Sequence, residues 1–274
     1  MKILVTGARG FVGKNLSFRL KEIVEGKDPD HKNLHIEEIY LCGRDTSFEQ
    51  LDAWCRNCDF VFHLAGVNRP KDEREFMEGN FGFTDTLLKL LQKHKNNCPV
   101  MLASSIQATL IGRYGSSGYG RSKLAGEKLL FEHEKETGAR VLVYRFPNLF
   151  GRWCRPNYNS VIATFCHNVA NDLPIRVDNR DTELEMLYID DLVDEMLLAL
   201  EGMESHCNYE GLTPVFCAEG HYCGVKTTHK VTLGEIVDLL HNYKEETGKM
   251  QYPDNSFARK LYDTYLSYLP EKSE

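Results

Sequence analysis

Tyr119 and Lys123 stand four residues apart in Tyr119-Gly-Arg-Ser-Lys123, at the start of a helical pattern. That spacing places both side chains on one helical face, about one turn apart. An ammonium beside a phenol favours the phenolate, so Tyr119 is expected below the ordinary tyrosine pKa of about 10. A tyrosine tuned in this way serves as a general acid at neutral pH. Upstream, Ser105 ends an apolar run, Val100 to Ala103, that reads as a buried strand. A hydroxyl there can hold a carbonyl oxygen while Tyr119 protonates it. Ser104 is the alternative in register.

The Y-x-x-x-K spacing is not specific by itself. It recurs at Tyr222/Lys226, which Gly224 interrupts, and at Tyr268/Lys272, which Pro270 breaks. Only Tyr119/Lys123 joins a convincing helix to a preceding strand that ends in Ser-Ser.

The elements that would position these groups begin at the amino terminus. Lys2 to Thr6 is a short β-branched run, followed at once by Gly7-Ala-Arg9-Gly10-Phe11-Val12-Gly13. Val12, Leu16, Leu20 and Ile23 then recur at helical spacing, and Gly26 is a stop. Strand, glycine loop and helix form the context of a dinucleotide fingerprint, here spaced G-x-x-G-x-x-G. Gly7 permits the tight turn, Gly10 lets backbone approach a pyrophosphate, and Gly13 lets helix pack on strand. The helix N-terminus adds free N–H groups and a positive dipole end. Arg9, Phe11 and Val12 lie in the same loop and join the candidate cofactor-binding residues.

Glu38 to Gly43 reads as the second strand, and Arg44 stands where an NAD enzyme usually carries an acid for the ribose 2′-OH. A guanidinium suits a 2′-phosphate, so NADP(H) is the expected cofactor. Asp59 to Gly66 is a buried strand whose Leu64, Ala65 and Gly66 allow cofactor approach, with His63 a core residue. Asn68 and Arg69 follow its carboxyl end, where open α/β sheets bind ligands. Helices are expected over Phe48–Asn57, Asn80–His94 and Tyr119–Thr137, and further strands over Pro99–Ala103 and Ala139–Tyr144. The alternation predicts an α/β fold, a Rossmann-type doubly wound parallel sheet.

After Gly151 the alternation fails. Arg152 to Asn159 is polar, aromatic and basic, and precedes a helix over Ser160–Asn171. A strand is expected over Leu184–Ile189. Asp190 and Asp191 then open a helix, Leu192–Leu200, and are read as helix-capping acids. Residues 202–230 read as an irregular insertion. Thr232–Glu246 is a helix with a Thr232/Glu235 capping box, and Phe257–Leu269 a last helix. The expected organisation is an NADP-binding core of residues 1–151 plus 181–203, and a smaller, mostly helical substrate lobe of 152–180 plus 204–274.

Composition bounds the function. A net charge of −7 over 274 residues, with no basic tract, argues against nucleic acid. No segment approaches the roughly 20 apolar residues of a membrane span. The opening apolar run is too short and too early for a signal peptide. Nine cysteines, an odd number, are then expected as reduced thiols in a cytoplasm. Cys55 and Cys58 form a single C-x-x-C, and Cys217, His221 and Cys223 have no evident fourth ligand, so no metal site is expected.

Taken together, Thr6 to Gly13, Leu64-Ala-Gly66, Asn80-Phe-Gly-Phe-Thr84, Ser104-Ser105, Tyr119 to Lys123, Arg145 to Gly151 and Tyr188-Ile-Asp-Asp191 resemble the extended short-chain dehydrogenase/reductase family. The resemblance covers almost the whole chain. It implies a catalytic set of Ser105, Tyr119 and Lys123, with Lys123 also binding the nicotinamide ribose and Phe146 near the cofactor. Longer stretches, His63 to Pro70, Pro147 to Cys166, Val231 to Leu240 and Thr264 to Pro270, resemble the reductase domain of CapF-type capsular polysaccharide synthesis enzymes. That likeness implies NADPH-dependent reduction of a UDP-2-acetamido-2,6-dideoxy-4-hexulose to the 6-deoxy-L-talose sugar, by a homodimer. For the UDP-sugar, Arg152, Arg155, Asn157, Asn159 and Arg180 are nominated around the diphosphate, Asn68 and Arg69 near the sugar, and Asn148 beside them. Those enzymes continue into a metal-binding cupin domain assigned the preceding epimerisation. This sequence stops at Glu274, so epimerase activity is not expected of it.

Two rivals share the residues. One is a nucleotide-sugar epimerase or dehydratase of the same fold. Dehydratases typically place Asp-Glu after the active-site hydroxyl, where Ile106-Gln107 stands here, and Arg44 argues against the tight NAD of epimerases. The other is a non-catalytic NADP-binding regulator, which would have no need of an intact Ser-Tyr-Lys set.

Overall fold

The computed structural model describes residues 1–158, 160–245 and 251–270. Its contacts divide the chain into two units, Met1–Phe146 with Glu195–Gly224, and Pro147–Asp194 with Val225–Glu274.

The first unit is built on an eight-stranded sheet. Its parallel part runs β2 (Glu38–Cys42), β1 (Lys2–Thr6), β3 (Phe60–His63), β4 (Val100–Ser105), β5 (Val141–Phe146). β3 and β4 are buried throughout, as strands of a sheet covered on both faces must be, which is why they read as unbroken apolar runs. The strand order reverses between β1 and β3, the switch point where such sheets bind ligands. Among the helices of this unit are α1 (Phe11–Val24), α2 (Phe48–Asn57) and α5 (Gly118–Thr137). α2 starts with a capping box, Gln50 N donating to Ser47 Oγ and Ser47 N to Gln50 Oε1. α5 starts where Ser117 Oγ accepts from Gly120 N at 2.9 Å and stops at Gly138, left-handed at φ 73°. Leu4, Val61, Leu87, Leu91, Val100, Leu102, Leu130 and Val143 fill the core.

The helix expected over Asn80–His94 is present, but it begins inside a π turn. α3 (Arg74–Phe76) leads into a π turn, Met77–Gly82, before α4 (Phe83–Lys93). Residues 202–230 are likewise not irregular. β8 (His206–Glu210) and β9 (Thr213–Phe216) form an antiparallel hairpin around Gly211 (φ 62°). β10 (Tyr222–Cys223) pairs parallel with β5 and antiparallel with β8, so all three extend the first sheet. These strands are two to five residues long, too short to show a period of their own.

The second unit has its own three-stranded sheet, β11 (His229–Thr232), β7 (Glu183–Tyr188), β6 (Asn148–Phe150), with α6 (Val161–Ala170), α8 (Leu233–Glu245) and α9 (Phe257–Leu266). Phe150, Ile162, Phe165, Leu240, Tyr243, Leu261 and Tyr265 are its core. The Thr232/Glu235 capping box is present at α8. The expected boundaries are therefore corrected. Residues 204–224 belong with the parallel sheet through strand pairing, and β7 belongs with the second unit because it pairs with β6 and β11. The division falls inside α7 (Ile189–Glu201).

Candidate active site

The pleat of β4 separates the two serines, whose side chains point to opposite faces. Ser104 Oγ donates to Glu127 Oε1 at 2.5 Å and is buried. Ser105, the last residue of β4, accepts from Gln107 N at 3.2 Å, and its hydroxyl is the group that draws the Tyr119 phenol down against burial. This geometry selects Ser105 over Ser104 as the hydroxyl beside the tyrosine.

Tyr119 is the second residue of α5, half-buried, its ring centroid 5.7 Å from that of Phe76. One turn on, the Lys123 ammonium donates to Ala103 O at 2.9 Å. Burial pulls Lys123 down to about 8, against the opposing pull of Glu127. Burial pushes the Tyr119 phenol up to about 12, with the Ser105 hydrogen bond working the other way. The expected depression by Lys123 is thus corrected. The ammonium lies 5.9 Å from the phenol ring centroid and is aimed at a backbone carbonyl, so desolvation of the phenol wins.

Asn80, which the sequence offers only as part of a family motif, braces the site. It sits in the π turn, a feature that periodicity does not reveal and that clusters at functional sites. Its Nδ2 donates to Val67 O and to Ser122 Oγ, both at 2.9 Å, and its Oδ1 accepts from Val67 N at 2.9 Å. It thereby fixes the backbone just after Gly66. A Cβ at Gly66 would meet Asn80 Oδ1 at 2.7 Å and Lys123 Nζ at 2.9 Å.

His63 is the core residue expected. Ala65 N–H donates to Thr6 Oγ1, and Thr6 and Thr84 hydroxyls flank the ring nitrogens at 2.8 Å each. Thr84 donates onward to Asn80 O. That direction assigns Nε2–H as donor and Nδ1 as acceptor. Burial, then the Lys123 charge, pull His63 down to about 3, so it is neutral.

The glycine loop fits a dinucleotide. Gly7 has φ 67°, and a Cβ there would lie 2.7 Å from Ala65 N. A Cβ at Gly13 would lie 2.3 Å from Gly7 O, so α1 is packed hard on the loop. Gly10 is the exposed N-cap of α1. The amides of Phe11, Val12 and Gly13 open that helix without intrahelical acceptors, an anion site by construction. Leu64, Ala65 and Gly66 line the switch point, and Phe146 pairs in register with Ser105. Arg9 extends outward to Asp45 at 2.7 Å, and Arg44 is exposed just beyond β2.

Of the nominated substrate residues, Asn68 and Arg69 are exposed after β3 in the first unit. The others described lie in the second unit. Gly151, Trp153 and Asn157 all have positive φ (143°, 65°, 54°), and an aromatic residue in that region is strained backbone. The Arg152 guanidinium lies 4.6 Å from the Trp153 ring centroid and 3.9 Å from Asp190, and Arg155 lies 5.4 Å from the Tyr158 ring. Asn148 Nδ2 donates to Glu185 O at 3.2 Å. Arg180 spans both oxygens of Asp238 at 2.7 Å and reaches Gly234 O, so its charge is matched within the unit. Asn159 lies outside the described residues. Asp191 does more than open α7: it accepts from the buried Lys260 Nζ at 2.7 Å.

All nine cysteines are free thiols, and only Cys217 is exposed. Among the described residues no His, Cys, Asp and Glu cluster is arranged to hold a metal ion, and no helix is long and apolar enough to cross a membrane.

Comparison with known proteins gives this geometry a family. The chain is 36% identical, over all of its length and 66% of the relative's, to the UDP-2-acetamido-2,6-beta-L-arabino-hexul-4-ose reductase of Pseudomonas aeruginosa. It is similar to the crystal structure of the capsular polysaccharide assembling protein CapF from Staphylococcus aureus, with a TM-score of 0.78 and 41% identity over 98% of this chain and 65% of that one. It thus spans just under two thirds of the length of these two relatives. The UDP-glucuronic acid 4-epimerase of Bacillus cereus, solved with NAD, shares the fold at a TM-score of 0.73, 18% identity and 98% coverage of each chain. Residues 3–210 match the family model described as NAD dependent epimerase/dehydratase, and the chain belongs to that family.

Proposed function

We propose that this chain is an NADPH-dependent nucleotide-sugar 4-ketoreductase. Its substrate on this reading is a UDP-2-acetamido-2,6-dideoxy-hexulose, reduced at C4 to the 6-deoxy-L-talose sugar, a precursor of N-acetyl-L-fucosamine in surface polysaccharide. The observation that carries the proposal is the contact of the Ser105 and Tyr119 hydroxyls, with the Lys123 ammonium one helical turn away. The name of the Pseudomonas relative supplies the substrate class.

A bound reduced nicotinamide would supply the hydride. This chain's residues do the rest. Ser105 and Tyr119 donate to the carbonyl oxygen as negative charge develops on it, and Tyr119 gives up its proton. A phenol held at about 12 is protonated at neutral pH and ready to donate. Lys123 orients the cofactor ribose and offsets the charge left on the phenol. The amides at the start of α1 hold the pyrophosphate, and Arg44 takes the 2′-phosphate. Asn68 and Arg69, exposed after β3 in the first unit, are the candidate ligands of the sugar.

The test is incubation with NADPH and the 4-keto UDP-sugar, following NADPH absorbance and identifying the product. Stoichiometric NADPH consumption is expected, and Tyr119→Phe is expected to lose at least about 10³-fold in turnover while still binding NADPH. Near-normal turnover by that variant would remove Tyr119 from the reaction. An altered sugar with unchanged cofactor would indicate epimerisation instead. Arg44→Ala is expected to reduce NADPH affinity about tenfold or more with little change for NADH, measured by fluorescence titration. An unchanged ratio would discard the NADP(H) assignment.

A further inference from the structure

We propose that Glu127 and Arg145 form a buried charge pair that sets the protonation of Lys123, and that the β8–β10 arm holds this pair in place. The inference deepens the reading above and rests on Lys123 acting as an ammonium there.

Lys123 is buried, and the carboxylate acting on it is Glu127, four residues further along the same face of α5. That carboxylate is itself buried and already engaged. Arg145 donates through Nε to Oε1 at 2.9 Å and through Nη2 to Oε2 at 2.6 Å, and Ser104 donates to Oε1. One negative charge therefore serves two cations, and the bidentate geometry gives the larger share to Arg145. The remaining groups that face Lys123 leave the balance to this pair. Tyr119, on its own helix, is a neutral phenol. His63, on β3, is neutral. β4 offers the Ala103 carbonyl, and the π turn offers the Asn80 amide.

Arg145 is gripped from the far side by residues of the insertion. Its Nη2 donates to Tyr222 Oη at 2.9 Å, and its guanidinium lies 4.1 Å from the Tyr222 ring centroid and 5.3 Å from that of Tyr209. Tyr209 Oη donates to the Arg145 carbonyl at 3.2 Å. Tyr209 lies on β8 and Tyr222 on β10, so the added strands press Arg145 onto Glu127. Burial pulls Lys123 down and the Glu127 carboxylate pulls it up, so that carboxylate is the group through which the pair reaches the ammonium. Glu127 and Arg145 are positioning residues, acting through Lys123.

The pair predicts shifts of opposite sign. Removing Glu127 leaves Lys123 with Arg145 as an unmatched like charge, so its ammonium is lost at lower pH. Removing Arg145 hands the whole carboxylate to Lys123, so its ammonium survives to higher pH. The full chain labelled with [ε-13C]lysine, its Lys123 signal assigned by loss in Lys123→Met, is titrated by NMR. Glu127→Gln is expected to lower the Lys123 midpoint by about one pH unit, and Arg145→Gln to raise it by about one. Arg145→Lys is expected to restore it, and Tyr222→Phe to move it a smaller step in the Arg145→Gln direction. The alkaline limb of kcat/KM for sugar reduction moves with the same signs. A purely structural pair would lower activity in both variants with the midpoint unmoved. An unmoved midpoint, or shifts of the same sign, in variants that keep the wild-type circular dichroism spectrum overturns the proposal. If Arg145→Gln does not fold, Tyr222→Phe carries the sign test. The titration uses no sugar, so a failure of reduction with opposite shifts present would count against the ketoreductase reading alone.

Discussion

Ser104 and Ser105 are adjacent and chemically alike, yet the pleat gives them different partners. Ser104 satisfies a buried carboxylate, and Ser105 meets the phenol. Ser105→Ala is therefore expected to lower kcat by about 10²–10³ with an unchanged melting temperature. Ser104→Ala is expected to cost about 1–3 kcal/mol of stability, by removing a donor from buried Glu127, and far less in kcat. Thermal melts beside steady-state kinetics check both, and a reversed pattern would move the active hydroxyl to Ser104. At this scale the sequence disclosed which residues would gather but not how each was oriented. The Tyr119/Lys123 spacing was visible, whereas the aim of the ammonium at Ala103 O depends on β4 lying alongside α5. Asn80 was legible only as part of a family motif, because its role is backbone bracing across the chain to Val67.

Between elements, the contact that matters most joins α5 to the short 3-10 turn Ile106–Thr109 that follows Ser105. Gly120 makes it possible, since a Cβ there would lie 2.3 Å from Gln107 O and 2.9 Å from Gln107 C. Gly120→Ala is expected to push the turn from the helix, destabilise by about 1–3 kcal/mol and cut turnover at least about tenfold, with NADPH binding retained. Gly126→Ala is the control, because its nearest neighbour would be 3.5 Å away, and it is expected to leave turnover within about twofold. Kinetics and melts of the two variants together test the contact, and equal effects would dismiss it. α2 matched its expected residues and α5 began one residue early, because clean caps and apolar periods define both. The π turn and the strands of the insertion leave no pattern in the sequence, since one breaks the helical period and the others are too short to show a period.

For the molecule as a whole, the parallel sheet was legible because its central strands are buried on both faces and its glycine loop follows β1 immediately. The partition of the chain was not. It depends on which sheet each later strand joins, and pairing partners distant in sequence leave no local trace: β7 pairs with β6 and β11, and β10 pairs with β5. The central claim for the whole molecule is that a hydride moves from a nicotinamide to C4 of a keto sugar. Incubation with NADPH deuterated at the transferring face of nicotinamide C4, followed by mass spectrometry and NMR of the sugar, reads this directly. One deuterium at C4 of the 6-deoxy-talose product is the predicted result. A converted sugar carrying no deuterium, with NADPH still reduced, would contradict it.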